Sequence, residues 1–227
     1  MAIPSREVVA ELAPNGTIRA AINAANAALV QVDPSSGEIA GPSSDIARRL
    51  GSELGAQVSL VRYPTAGGIM AAIDRDEWDI ALIAEDPSRA DRLFFSPPYA
   101  IIAATYAVRV DLPCRTSNDV DASGVRIATA RSAAYTSRLE RLIKRATLVY
   151  ADDPSSAFAL MVGGECDAAA GIRESLARFA VGAPGVRVVD GAFSEIKQTI
   201  AIRHGSPQAA AHLTDFTVRY MDMAEAR

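Results

Sequence analysis

The segment Asp-Ile-Ala-Leu-Ile-Ala, residues 79–84, is the most informative part of this sequence. After Asp79 it is continuously apolar, which is typical of a strand buried on both faces. Strands of this kind belong to parallel sheets that are covered by helices. The segment therefore predicts an α/β protein in which residues 79–84 form a buried strand.

Strand and helix patterns alternate on both sides of this segment. The predicted strands are residues 17–22, 58–61, 125–128, 148–150 and 166–170. The predicted helices are residues 44–54, 67–74, 133–144, 155–162 and 175–179. Two longer extended runs, 101–110 and 196–202, separate these groups from each other and from a final amphipathic helix at about 208–223. The alternation predicts two α/β units in series.

The final helix needs an apolar surface to cover, and the second unit is already complete without it. We therefore place this helix on the first unit, so that the chain crosses between two lobes twice. The predicted first lobe comprises residues 1–106 and 198–227, and the predicted second lobe comprises residues 107–197. Ligands of parallel sheets bind at the carboxyl ends of strands, which predicts a small-molecule site in a cleft between the lobes.

Composition excludes several classes of protein. The 227 residues carry 27 acidic and 23 basic side chains, and this balance of −4 argues against a nucleic-acid partner. No apolar run approaches the ~20 residues of a membrane span. The two cysteines and two histidines are too few for a disulfide framework or a metal cluster, so neither a metal nor a cofactor is expected.

Two further stretches resemble signatures of family 3 extracellular solute-binding proteins of the amino-acid type. One is Gly-Glu-Ile-Ala-Gly-Pro-Ser-Ser-Asp-Ile-Ala at 37–47, and the other is the strand 78–84 with Arg89 and Phe-Ser-Pro-Pro-Tyr at 95–99. The resemblance implies the two-lobed type 2 periplasmic-binding-protein (Venus-flytrap) fold. Each lobe would be a mixed, mainly parallel sheet flanked by helices, joined to the other by two crossover hinge strands.

The same resemblance implies a function. The chain would be a monomeric, non-enzymatic protein that captures a small carboxylate or amino-acid-like solute and delivers it to an ABC permease. The family implies a periplasmic location. The N-terminus, however, lacks a basic segment followed by an apolar one, so a secretory signal is not expected in this chain and a cytoplasmic location stays open.

Arg89 occupies the position of the arginine that, in the resembled family, clamps a ligand carboxylate. Independently of the family, a guanidinium is a permanently charged, planar fork that binds a carboxylate through two hydrogen bonds. Arg89 also follows a buried strand in a loop that Pro87 favours. The alternative is an ordinary solvated loop arginine, like Arg92.

The remaining candidates depart from the family pattern. Asp86 replaces a threonine, and Ala84 and Leu82 stand where a small hydroxyl residue or a glycine usually helps to bind the ligand. In the second lobe Ala133 stands where a threonine hydroxyl would hold the carboxylate. Ser132 remains available to cap the helix, whose amides attract an anion, or to serve as a purely structural cap.

The family's acidic partner for a ligand ammonium falls on Ile172 or Arg173, and neither is acidic. The cleft would instead gather Arg89, Arg131 and Arg173, which predicts an anionic ligand without an amine. Asp86 or Glu195 remains an alternative source of the missing acid.

Three more side chains are candidates for ligand contact. Asn23 and Asn26 follow the first strand, where amides could orient a polar ligand or merely stabilise the loop. Tyr135 could supply an apolar wall.

Two other functions stay open. The first is an enzyme on the same scaffold, similar to cyclohexadienyl dehydratases, with Asp86 or Glu195 as the general acid. The second is a cytoplasmic ligand sensor.

Overall fold

The computed structural model describes residues 4–225 of the chain. The helices are α1 (Arg6–Leu12), α2 (Pro42–Leu54), α3 (Ala66–Ala71), α4 (Ala134–Leu142), α5 (Pro154–Val162), α6 (Arg173–Val181) and α7 (Pro207–Glu225). The strands are β1 (Thr17–Asn23), β2 (Gln31–Val32), β3 (Ile39–Ala40), β4 (Gln57–Tyr63), β5 (Ile80–Ala84), β6 (Leu93–Phe95), β7 (Ala100–Arg109), β8 (Arg126–Ala130), β9 (Thr147–Ala151), β10 (Ala168–Ile172), β11 (Val186–Val188) and β12 (Ser194–Arg203). The predicted order of strands and helices is confirmed.

The chain forms two compact units. Among the described residues, unit 1 comprises 4–24, 29–100 and 197–225, and unit 2 comprises 25–28 and 101–196. The outermost residues of the predicted first lobe, 1–3 and 226–227, lie outside the described residues.

In unit 1, β1 lies between β4 and β5 and is parallel to both. The register pairs Ala20 with Ile80, which makes the apolar segment a sheet strand, as predicted. Antiparallel β12 covers the other edge of β5 and also pairs with β6. Trp78, Ile69 and Ile83 are almost completely buried in the core that α3 covers.

Helix α2 begins at the proline of the motif at 37–47. Pro42 suits a first helical position because the missing N–H would have no partner there. The helix ends at Gly55, which adopts the left-handed conformation. Ile46, Ala47 and Leu50 face inward and are fully buried. Helix α7 also belongs to unit 1, where its Arg219 and His212 contact Glu53 of α2.

In unit 2, β10 lies between β7, which is antiparallel to it, and β8, which is parallel. β9 extends the sheet in parallel beyond β8, and β11 pairs with β7. The core packs Phe158 and Met161 of α5 with Leu176 of α6 against small residues of β8 and β10. Within each unit, the carboxyl ends of the neighbouring parallel strands therefore lie together at one edge of that unit's own strands.

Candidate functional site

The candidate site of unit 1 lies at the carboxyl ends of its parallel strands. β1 ends at Asn23 and β5 ends at Ala84, and the two strands are neighbours. Asp86 and Arg89 follow β5 directly, so four of the sequence-predicted residues lie at this edge. Gln198 joins them because the β12 register places it opposite Ala84.

Arg89 is held by a single 3-10 turn that spans Pro87–Arg89. Its backbone N–H donates to the carbonyl oxygen of Asp86 at 3.0 Å. Its Nη1 donates to the carbonyl oxygen of Ala84 at 2.9 Å. Only 5% of the residue is exposed, so Arg89 is a buried cation at a strand end and not a solvated loop side chain.

Asp86 begins the same turn. Its Oδ1 accepts a hydrogen bond from the backbone N–H of Ser88 at 2.9 Å, and the residue is 3% exposed. Burial lowers the pKa of the Arg89 guanidinium, because the interior disfavours its charged form, and the carboxylate of Asp86 opposes this shift. Asp86 and Arg89 are therefore coupled electrostatically.

Gln198 is a polar residue of this edge that the sequence analysis missed. It is 4% exposed, and its backbone carbonyl oxygen accepts a hydrogen bond from the backbone N–H of Tyr99 at 2.8 Å. The available signal was its place between Ile196 and Ile200, two apolar residues on the same face of a strand. A lone glutamine in such a series marks a buried amide.

In unit 2, the loop after β8 leads into α4. The N-cap is Ala133, without a side-chain hydrogen bond, so Ser132 is not the cap that the sequence suggested. The buried hydroxyl groups turn inward instead, since Thr129 Oγ1 lies 2.7 Å from Thr136 Oγ1, and Thr136 Oγ1 donates to the Ala130 carbonyl oxygen. The N-cap position of α4 is therefore an alanine, whose side chain has no hydrogen-bonding group.

Tyr135 lies in the first turn of α4 and is 4% exposed. Its hydroxyl has no hydrogen-bond partner among the described residues, and burial raises its pKa. Tyr135 is therefore a buried residue with a neutral hydroxyl.

The two arginines predicted in the second lobe contact neutral groups. The guanidinium of Arg131 lies 5.3 Å from the ring centre of Tyr150, a cation–π contact on the surface. Arg173 donates to the carbonyl oxygens of Val189 and Gly191 at 3.3 and 2.5 Å. Both contacts bring these guanidinium groups against the protein's own neutral groups.

Asn26 belongs to the short segment Ala25–Ala28 of unit 2 and is 7% exposed. Ser175 of α6 fixes this segment, since its Oγ donates to the Ala25 carbonyl oxygen at 3.1 Å and accepts from the Ala27 N–H at 3.2 Å. Asn23 lies in unit 1, so the structure assigns the two asparagines to different units.

The described residues give little support for a metal site or for a reactive thiol. They contain no group of three His, Cys, Asp or Glu side chains that could hold a metal ion. Cys114 and Cys166 are buried, and burial raises the pKa of both thiols, which disfavours the nucleophilic thiolate. No helix within residues 4–225 has both the length and the apolar character of a membrane span.

A comparison with protein families gives a match that covers residues 18–222. The matching family is the bacterial extracellular solute-binding proteins, family 3. The chain belongs to this family. The match includes both strand-end residues of unit 1, Asp86 and Arg89, and the whole of unit 2 from Ile101 onward. The resemblance found in the sequence is thereby confirmed.

Solved structures of amino-acid-binding proteins share the fold. The ancestral amino acid-binding protein AncCDT-1, a precursor of cyclohexadienyl dehydratase, is 23% identical with a TM-score of 0.76, over 96% of this chain and 97% of that one. Holo ArgBP from T. maritima is 20% identical with a TM-score of 0.76, over 95% and 97%. L-arginine-bound AbpA from Streptococcus pneumoniae is 18% identical with a TM-score of 0.77, over 94% and 92%.

No curated protein sequence matches the chain. The family and the structural similarities together confirm the predicted fold class, a mixed α/β fold of the type 2 periplasmic-binding-protein kind.

Proposed function

We propose that this protein binds a small carboxylate or amino-acid-like solute and presents it to an ABC permease, acting as a periplasmic monomer without catalytic activity. The observation that carries the proposal is Arg89. It is a buried cation at the carboxyl end of β5, held by the Ala84 carbonyl oxygen and by one short turn. A positioned guanidinium at a strand end suits a carboxylate group.

Membership of a family of extracellular solute-binding proteins supports the binding role. Similar proteins of known structure bind L-arginine or glutamine according to their descriptions. These observations favour a binding protein over a cytoplasmic sensor.

An enzyme on the same scaffold is a second candidate, because AncCDT-1 is described as a precursor of a dehydratase. A general acid of that kind needs a raised pKa and access to substrate. Asp86 instead caps the Pro87–Arg89 turn, where its Oδ1 accepts a hydrogen bond from the Ser88 N–H, so this oxygen is already engaged in holding the turn. We therefore favour binding without catalysis.

The test is a thermal-shift screen with the common L-amino acids and a set of amine-free carboxylates. A bound solute raises the free energy of unfolding by ~2.7 kcal/mol at a hundredfold excess over Kd. Affinities of the hits are then measured by calorimetry for the native protein and for Arg89→Gln.

We expect Arg89→Gln to weaken binding by about ten- to a hundredfold, the effect of losing a hydrogen bond to a charged group. The matched control is Arg92→Gln, because Arg92 is an exposed arginine of the same loop that pairs with Asp74. A hit whose affinity is the same in Arg89→Gln and in the native protein would show that Arg89 does not anchor the solute.

A further inference from the structure

Two opposite charges are buried on one short turn of unit 1. Asp86 and Arg89 are 3% and 5% exposed. They begin and end the turn that follows β5, and the Arg89 N–H donates to the Asp86 carbonyl oxygen at 3.0 Å. A hydrogen bond from residue i+3 to residue i brings the two Cα atoms within about 7 Å of each other. The turn therefore holds the two charged residues next to each other.

Because Asp86 and Arg89 are both buried, the electrostatic interaction between them is stronger than it would be in water. An isolated charge in the interior is unfavourable, and an opposite charge nearby compensates for part of the lost solvation. The carboxylate of Asp86 acts on Arg89 in this sense, since it opposes the shift that burial imposes on the pKa of the guanidinium. Arg89 is thus a cation whose burial is partly compensated by an acid of the same turn.

The next two charges at this edge also cancel each other. Lys197 and Glu85 form an ion pair with 3.9 Å between Nζ and Oε2, and both side chains are about half exposed. The four charged residues that flank the end of β5, namely Glu85, Asp86, Arg89 and Lys197, are therefore two acids and two bases. This part of the edge carries as much negative as positive charge.

We propose that Asp86 is a specificity-determining residue: as the fixed counter-charge of Arg89, it disfavours solutes with a net negative charge and favours those that also carry a cationic group. The inference rests on the proposed function. A carboxylate that approaches Arg89 also approaches Asp86, and like charges repel. A solute that places a cationic group against Asp86 is attracted to it instead. Asp86 would therefore discriminate between solutes mainly through an unfavourable contact with those that lack a cationic group.

The variant that tests the proposal is Asp86→Asn, because asparagine keeps the size of the side chain and an oxygen that can accept from the Ser88 N–H. The probes are L-glutamine and glutaramate, which differ only in the α-amino group. Asp91→Asn is the matched control, since Asp91 is an exposed acid two residues after Arg89. Binding is measured by calorimetry at low ionic strength, where charge effects are least screened.

We expect the native protein to bind L-glutamine at least tenfold more tightly than glutaramate. A neighbouring opposite charge shifts a pKa by about one to three units, which corresponds to ten- to a thousandfold in an equilibrium. Asp86→Asn should therefore reduce the preference at least tenfold, mainly by tighter binding of glutaramate. Asp91→Asn should leave the preference unchanged. A native preference for glutaramate, or an Asp86→Asn variant that does not gain affinity for it, overturns the proposal.

A ligand-free measurement separates this inference from the proposed function. In a double-mutant cycle of Asp86→Asn and Arg89→Gln, urea unfolding should show a coupling of at least tenfold in the folding equilibrium constant. A coupling below twofold overturns the counter-charge. Strong coupling in a protein that no solute of the screen stabilises would count against the proposed function instead.

Discussion

Gly41, the second glycine of the motif at 37–47, is required by its backbone conformation and by its surroundings. Its φ of 103° and ψ of 177° lie in a region that only glycine adopts readily. A Cβ at this position would lie 2.8 Å from the carbonyl oxygen of Leu29. That oxygen accepts from the backbone N–H of Ser43 at 3.1 Å, so it cannot retreat without weakening the start of α2. Gly41→Ala therefore combines strain with overlap.

The cost can be worked from these two terms. Backbone strain in this region contributes about 1 to 3 kcal/mol. Forcing a methyl group into a packed site contributes about 1 to 3 kcal/mol more. We expect Gly41→Ala to lower the free energy of unfolding of unit 1 by roughly 3 kcal/mol or more.

Substitutions at two other glycines of unit 1 separate the cost of backbone strain from the cost of steric overlap. Gly37 also has a positive φ, 74°, but a Cβ there meets nothing within 4 Å, so Gly37→Ala should cost only about 1 to 2 kcal/mol. Gly68 lies in α3, where a Cβ would lie 3.6 Å from the Tyr63 ring in ordinary contact. Gly68→Ala should stabilise unit 1 by about 0.5 to 1 kcal/mol.

The assay is urea unfolding followed by tryptophan fluorescence. Trp78 is the only tryptophan of the chain and is fully buried in unit 1, so its signal reports on the unit that carries all three substitutions. Midpoints are compared at an unchanged dependence on urea. A Gly41→Ala variant no less stable than Gly37→Ala would refute the steric part of the reasoning, and a cost below about 1 kcal/mol would refute all of it.

Two further predictions concern other elements. Asp153 Oδ1 caps α5 by accepting a hydrogen bond from the Ser156 N–H at 2.8 Å. Asp153→Ala should therefore lower the free energy of unfolding of unit 2 by about 1 kcal/mol in thermal unfolding. Asp152→Ala, which changes an exposed neighbour, should have little effect. Burial lowers the pKa of His212, and this effect exceeds the opposite effect of Glu53, which lies 3.3 Å away. The unfolded chain therefore binds the proton more readily than the folded protein does. We expect the free energy of unfolding to fall as pH decreases through about 6.5. Replacing His212 with Asn should flatten that part of the stability curve, and an unchanged slope would contradict the assignment.

The strands and helices could be predicted because local signals agree with tertiary packing. β5 combines an apolar run with a turn signal, and the structure buries it between β1 and β12. Helix α2 carries Pro42 at its start, Gly55 at its end and an inward apolar face. Such signals lie within one element, so a single sequence contains them.

The start of α4 shows where local signals fail. Ser132 has the residue type of an N-cap, yet the helix begins after Ala133. Near this start, the hydroxyl groups of Thr129 and Thr136 contact each other, although the two residues lie on different elements. A hydrogen bond across elements leaves no pattern in the spacing of one helix, so the cap could not be located from sequence.

The charge of the ligand is also difficult to infer from sequence, because it depends on contacts between different elements. The sequence places three arginines near the predicted site, and counting them suggests an anion. In the structure the guanidinium of Arg131 lies against the ring of Tyr150, and Arg173 donates to two carbonyl oxygens, so both groups contact neutral parts of the protein. Of these three arginines, Arg89 is the one that is buried at a strand end, and it shares its turn with Asp86. In the proposal made above, the charge that a solute meets depends on which groups are buried together, so the aspartate on the turn of Arg89 matters more than the number of arginines in the sequence.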